Sequence, residues 1–170
     1  NFIAGRMMLV RGLVAGMNMV VVEPKANPLE DIPGLTIDFA ALVPYQLSAI
    51  LDSSQQLLRN VQKVILGGAP ISAKLLADIQ GLNTQCYATF GMTETITHIA
   101  LQKLNGADKQ DFFEALDGVE VSVDDRDCLV IEADYLDQPV VTNDVVELID
   151  SNRFRWRGRF DNVINSGGIK

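Results

Sequence analysis

Val61-Gln62-Lys63-Val64-Ile65-Leu66-Gly67-Gly68-Ala69-Pro70-Ile71-Ser72 is the stretch on which the fold turns. Its opening, Val61 to Leu66, is a mostly apolar run of strand length that breaks at once into two glycines and a proline. Ser72 then stands where a helix through Ile79 needs a side-chain oxygen for its unpaired N–H groups. Strand, glycine turn and helix make the unit from which parallel α/β sheets are assembled.

The same alternation extends in both directions. Upstream, Phe39 to Val43 reads as a strand, and Pro44 suits the first turn of a helix running to about Asp52. Before that, Met8, Leu9, Leu13 and Met17 recur near helical spacing within Ala4 to Met17, and Met19 to Glu23 reads as a buried strand. Pro24 to Gly34 contains three prolines and is a connector, with one helical turn at Leu29 to Ile32. Downstream, Thr84 to Phe90 is a further strand. The expected class is therefore α/β, a mostly parallel sheet with flanking helices.

From about Gly118 the pattern changes to short strands, Val119 to Val123, Cys128 to Ala133, Val145 to Asp150 and Arg153 to Trp156. Asp124 to Asp127 and Ser151-Asn152 suit hairpin connections, so a small antiparallel, barrel-like β segment follows. Gln102 to Ala115 between the two parts reads as a loop, with a short helix at Lys109 to Leu116. The expected divisions are 1–117, 118–160 and 161–170.

The chain has 170 residues, 48% of them hydrophobic, enough for the core of one ordinary domain. Fourteen Lys and Arg against 22 Asp and Glu leave a formal charge of −8, which disfavours nucleic acid or an anionic membrane as partner. Arg6, Arg11 and Asn18 interrupt the apolar run from Ile3 to Val22, so it is not a bilayer span. Cys86 and Cys128 have no metal spacing and form no disulfide framework, which fits a reducing, cytoplasmic setting. The chain begins without methionine and stops at Gly-Gly-Ile-Lys, as if cut from something longer.

In parallel sheets ligands sit beyond the carboxyl ends of the strands, where both Gly67-Gly68-Ala69 and Phe90-Gly91-Met92-Thr93 fall. Phe90 offers a π face to a purine, Gly91 permits close backbone approach, and Thr93 can donate to a phosphate oxygen. Glu94 is a hard oxygen ligand suited to magnesium beside phosphates. The same letters also fit a strand that ends in a turn and a helix start. Asp144 and Arg159 could equally be a turn aspartate and a surface charge. Cys86 and Trp156 read as core, and His98, the only histidine, could line a pocket or be a plain polar neighbour.

Leu66-Gly67-Gly68-Ala69-Pro70, Tyr87 to Glu94, Val141-Thr142-Asn143-Asp144, Gly158-Arg159-Phe160-Asp161 and Ser166-Gly167-Gly168 stand in the order seen in adenylate-forming enzymes, and the chain resembles an internal fragment of an acyl-CoA synthetase. Within that superfamily, Ile3 to Arg11 and Gly91 to Thr95 are most similar to the o-succinylbenzoate-CoA ligases. The resemblance implies ATP, Mg2+ and coenzyme A as reactants and cofactor, and a small carboxylic acid as substrate. It places an adenine loop on Gly67, Gly68 and Ala69, a stacking aromatic on Phe90, and nucleotide contacts on Gly91 and Met92. The phosphate-binding threonine falls on Thr93 and the magnesium carboxylate on Glu94. Asp144 would hold the ribose hydroxyls with Arg159 beside it, Asp161 would be the hinge of a mobile C-terminal domain, and Gly167-Gly168 would help to line the pantetheine route.

Departures accompany the likeness. Asn143 stands where the family usually has glycine, and asparagine is the non-glycine residue that best tolerates positive φ, which would keep Asp144 aimed correctly. Phe90 replaces a commoner tyrosine, keeping the stacking and dropping a hydroxyl. The resemblance puts a phosphate loop before Asn1 and the adenylating lysine after Lys170. The rival readings are a sister enzyme acting on another acyl or aryl acid, and a non-catalytic AMP- or ATP-binding module.

Overall fold

Ser72 caps its helix as the motif demands. Its Oγ accepts from the Leu75 N–H at 3.1 Å, and the helix, α3, runs Ala73–Asp78. The strand before it, β2, is Val61–Leu66, with Val61, Val64 and Leu66 turned into the core. Its neighbours are β1, Ile37–Leu42, and β3, Gln85–Gly91, both parallel to it. Between β1 and β2 lies the helix α2, Pro44–Ser54, with proline in its first turn and the Val43 N–H bonded to the Gln46 side chain. Leu47 and Ile50 of α2 and Leu75 of α3 share one core cluster with Val64, Leu66 and Cys86, so both crossover helices pack on one face of this sheet. Fully burying each such aliphatic side chain contributes about 1.5–3 kcal/mol.

These elements belong to a computed structural model of the chain that describes residues 3–161. Asn105 closes the core beneath β3. It is buried, accepts from the Cys86 N–H at 2.9 Å and donates to the carbonyls of Thr84 at 2.9 Å and Ile79 at 3.1 Å.

The remaining strands are β4, His98–Lys103; β5, Phe113–Ala115; β6, Val119–Val123; β7, Cys128–Ala133; β8, Val140–Leu148; and β9, Arg153–Arg159. Among the described residues they join one nine-stranded sheet in the order β1-β2-β3-β4-β5-β9-β8-β7-β6. A second core, formed by Ile99, Val121, Leu129, Ile131, Val146 and Phe154, takes in Phe90 and Met92 at its margin. That core runs along one stretch of the sheet from β3 to β6, with members on each strand between.

The class is α/β as expected, but the parallel part is confined to β1, β2 and β3, and every later pairing is antiparallel. No crossover helix follows β3. The chain turns in a single 3-10 turn, Thr93–Thr95, and after two intervening residues starts back as β4, a return that only an antiparallel pair allows. Two expected elements are absent from the described residues. Met19 to Glu23 is not a strand, and Val21 is 85% exposed. Lys109 to Leu116 is not a helix and contains β5 instead. The first helix, α1, is Ile3–Val14, with Leu9, Leu13 and Val14 exposed. No helix among the described residues is long and apolar enough to cross a membrane.

Candidate functional site

Gly67-Gly68-Ala69 follows β2, and Phe90 to Glu94 takes in the last two residues of the adjacent parallel β3 and the turn after it; with Leu66 paired to Ala88, the two segments lie side by side at the carboxyl ends of these strands. Thr89 links them by donating its hydroxyl to the Leu66 carbonyl at 3.0 Å. Phe90 is half-buried. Its ring packs edge-on to Phe154 and Phe113, with centroids 5.1 and 5.5 Å away, so the second core orients it.

Gly91 is demanded by close approach. A Cβ there would lie 2.4 Å from His98 Cα and 2.6 Å from the Thr97 carbonyl oxygen, both backbone atoms. The pairing skips a residue at this point, Phe90 opposing Ala100 and Gly91 opposing His98. Beyond it Thr93 and Glu94 are exposed at the turn. The buried Thr95 hydroxyl accepts from the Met92 N–H at 3.1 Å and lies 2.8 Å from the Thr97 carbonyl, closing the turn on itself. Ile96 follows at φ +65°, a conformation costly for a β-branched residue, of order 1–3 kcal/mol, that persists only where its surroundings impose it.

His98 lies next to this turn, tied to α1. Arg11 Nη2 donates to Thr97 Oγ1 at 2.5 Å and lies 3.0 Å from His98 Nδ1. A guanidinium has no lone pair, so His98 must accept on Nδ1 as a neutral imidazole. Burial, and then the Arg11 charge, hold the imidazole pKa below its ordinary value.

Asp144 is in a strand and not a turn. It is 8% exposed, on β8, directly opposite Arg159 of β9. Arg159 reaches its place through a bulge: Val145 pairs with Gly158 but Val146 with Trp156, so Arg157 is extra on its strand. Gly158 carries φ +146°, which suits glycine. Without the bulge Arg159 would share the face of Arg155 and Arg157. With it, Arg159 Nη1 stands 3.5 Å from Asp144 Oδ2, and its side chain is 22% exposed against 57% for Arg157.

Trp156, expected in the core, is 46% exposed and donates its indole N–H to Asp144 Oδ1 at 2.9 Å. Asn143 does not adopt positive φ as its replacement of glycine suggested. It lies within β8, and its side chain accepts from Arg126 at 3.1 Å and donates to Asp161 at 3.1 Å. Arg159 also clamps Asp161, at 3.0 and 2.7 Å, and this bond above all raises the Arg159 pKa. Arg126 completes the network by lying over the Phe160 ring at 5.2 Å.

The structure thus gathers the predicted residues into two groups, Gly67 to Ala69 with Phe90 to Glu94, and Asp144 with Arg159 and Asp161. Three strands, β4, β5 and β9, intervene between β3 and β8. In a flat sheet that spacing would separate the groups by about 19 Å. Phe90 and Met92, from the first group's loop, pack against the same cluster that holds Val146, two residues from Asp144. Gly167-Gly168 lie outside the described residues. Two cavities, of about 370 and 420 Å³, are lined by other residues, Tyr87, Lys103 and Asp108 among them in the first and Arg59 and Thr84 in the second. Trp156 and Arg126 are the participants that sequence reading missed. Alternation with Phe154 made Trp156 look internal, and Arg126 was legible only as part of a turn.

The glycine loop and the F-G-x-T-E turn lie at the carboxyl ends of parallel strands, the strand aspartate faces a G-R bulge, and the chain belongs to the AMP-binding enzyme family, whose model matches residues 1–130. Asp144, Arg159 and Asp161 lie beyond that match. A 2-succinylbenzoate–CoA ligase from Staphylococcus aureus is 34% identical over 96 residues, 55% of this chain and 19% of the relative. The structure of an acyl-CoA synthetase (AMP-forming)/AMP-acid ligase II-like protein from Dyadobacter fermentans superposes with a TM-score of 0.83 at 45% identity, over 99% of this chain and 49% of that one. An o-succinylbenzoate coenzyme A synthetase from Bacillus subtilis, in complex with ATP and magnesium ion, has a TM-score of 0.74 at 17% identity over 98% of this chain and 41% of its own, a likeness of fold. The chain therefore spans about a fifth of the curated relative and half of the Dyadobacter protein.

Proposed function

We propose that this chain is the adenine- and ribose-binding part of an ATP-dependent acid–CoA ligase, acting on o-succinylbenzoate in menaquinone biosynthesis. The observation that carries this reading is the side-by-side placement of the Gly67-Gly68-Ala69 and Phe90-to-Glu94 loops at the carboxyl ends of β2 and β3. The S. aureus relative supports the choice of acid. In this reading the chain divides at residues 117 and 160, with Asp161 the hinge to a mobile domain. The setting is cytoplasmic, supported by two free, buried cysteines.

Adenine would lie against the glycine loop and the exposed part of Phe90, with Gly91 and Met92 supplying backbone contacts. Asp144 accepts from the ribose hydroxyls, and Arg159 holds Asp144 from the other side. The acid's carboxylate attacks the ATP α-phosphorus and releases pyrophosphate, and the coenzyme A thiol then displaces AMP from the acyl adenylate. Thr93 donates to the phosphoryl oxygens as their charge grows.

Magnesium fits the donor set at Glu94. The carboxylate is exposed, and no cluster of three or more His, Cys, Asp or Glu side chains gathers there among the described residues, so the shell would be completed by phosphates and water. Bound there, the ion would neutralise phosphate charge. Charge-assisted contacts are worth about 1.5–3 kcal/mol each, and with Thr93 and Glu94 as the phosphate-side groups proposed here, this chain should bind adenine nucleotide weakly and release no pyrophosphate.

Calorimetric titration with AMP, beside pyrophosphate release by this chain and by a longer polypeptide containing it, tests the reading. Expected are weak AMP binding here and turnover of o-succinylbenzoate by the longer protein. Pyrophosphate release by the 170-residue chain would show the catalytic groups to be misplaced. A longer protein active only on another acid would move the assignment to a sister enzyme.

A further inference from the structure

Trp156 is the only tryptophan in the chain, and it does not fill the core. It stands diagonally across from Asp144, since its direct partner on β8 is Val146, and a long aromatic side chain spans such a diagonal. Its indole N–H meets Asp144 Oδ1 at 2.9 Å while Arg159 faces Oδ2 at 3.5 Å. Both partners are donors only. A carboxylate has about four lone-pair sites; the indole N–H takes one on Oδ1, and the Arg159 guanidinium flanks Oδ2 as an ion pair without a hydrogen bond, so lone pairs on both oxygens remain for a ligand. Two lone pairs fixed in one plane are what two adjacent hydroxyl groups require. The Thr142 hydroxyl accepts from the Asp144 backbone N–H at 3.0 Å and does not compete for the carboxylate.

We propose that Trp156 is a positioning residue for Asp144, turning its carboxylate to recognise the vicinal diol of an adenine ribonucleotide. The assignment rests on the nucleotide reading above and adds a specificity to it, preference for ribose over 2′-deoxyribose. A tryptophan that merely covered the strand would give no such preference.

A single indole N–H makes the test direct, since the ¹⁵N-labelled chain has one indole cross-peak in its proton–nitrogen spectrum. Titration with AMP should move that peak along the same isotherm as the amides of Gly67 to Ala69 and Phe90 to Glu94. Trp156→Phe, at a half-exposed position, should weaken AMP binding about three- to tenfold and 2′-deoxy-AMP binding by less than about twofold. Motif amides that shift while the indole peak stays still, or a variant that weakens both nucleotides equally, would overturn the proposal and leave the nucleotide site standing. If no resonance moves with AMP, the nucleotide reading of this chain fails and the proposal fails with it.

Discussion

Gly91→Ala places a methyl carbon 2.4 Å from His98 Cα, 2.6 Å from the Thr97 carbonyl oxygen and 2.9 Å from the His98 nitrogen. Comfortable carbon–carbon contact begins near 3.5 Å, so β3 and β4 must part by roughly 1 Å where the register already skips a residue. No flexible side-chain tip is available to give way. Overpacking of this kind costs about 1–3 kcal/mol. With a urea slope of about 1–3 kcal/mol per molar, a loss near 2 kcal/mol lowers the unfolding midpoint by about 1 M. The comparison is Gly81→Ala, where an added Cβ meets nothing within 4 Å and φ is not positive. That change should leave the midpoint unaltered or raise it slightly. Urea melts followed by circular dichroism measure both. Equal midpoints for the two variants would refute the claim that the F-G-x-T-E turn needs glycine for its contact with β4.

Asn105→Ala removes the acceptor of the Cys86 N–H and one donor each from the Thr84 and Ile79 carbonyls, the latter keeping the Leu82 N–H, and should cost about 1–3 kcal/mol in the same melts. His98 is held neutral, its folded pKa below 6.5, so the unfolded chain binds the proton more readily. Its contribution to stability is therefore complete above pH 6.5 and is lost as pH falls from there toward the lowered folded value; urea midpoints across that window should show a slope that His98→Gln removes. Gly158→Ala strains a backbone at φ +146° by about 1–3 kcal/mol and disturbs the bulge that aims Arg159, so it should lower the melting midpoint and weaken AMP binding together in calorimetry.

The elements that came straight from the residues are those whose pattern is local. Val61–Leu66, Val119–Val123 and Cys128–Ala133 have the expected bounds because apolar runs ended by turn residues specify both the strand and its limits. Ser72 was legible for the same reason. β4 and β5 were not. His98 to Lys103 buries the consecutive Ile99 and Ala100 and so lacks alternation, and Phe113–Ala115 is a strand only because β4 and β9 stand on either side of it. Met19 to Glu23 shows the converse, since a β-forming composition does not make a strand without a bonded neighbour.

The candidate site divides along the same line. Gly67, Phe90, Gly91 and Glu94 are readable because each sits beside the strand end that places it. Asp144 and Arg159 are readable as a motif, but their relation is not, because it depends on a one-residue bulge and on Gly158 at its centre. Had the ladder stayed regular, Arg159 would face away with Arg155 and Arg157, and Asp144 would lie partly buried with the Trp156 N–H as its only close donor. Burial of a carboxylate becomes favourable as donors accumulate around it. The extra residue Arg157 thus brings, through a change of face, the Arg159 guanidinium to 3.5 Å from the Asp144 carboxylate inside β8.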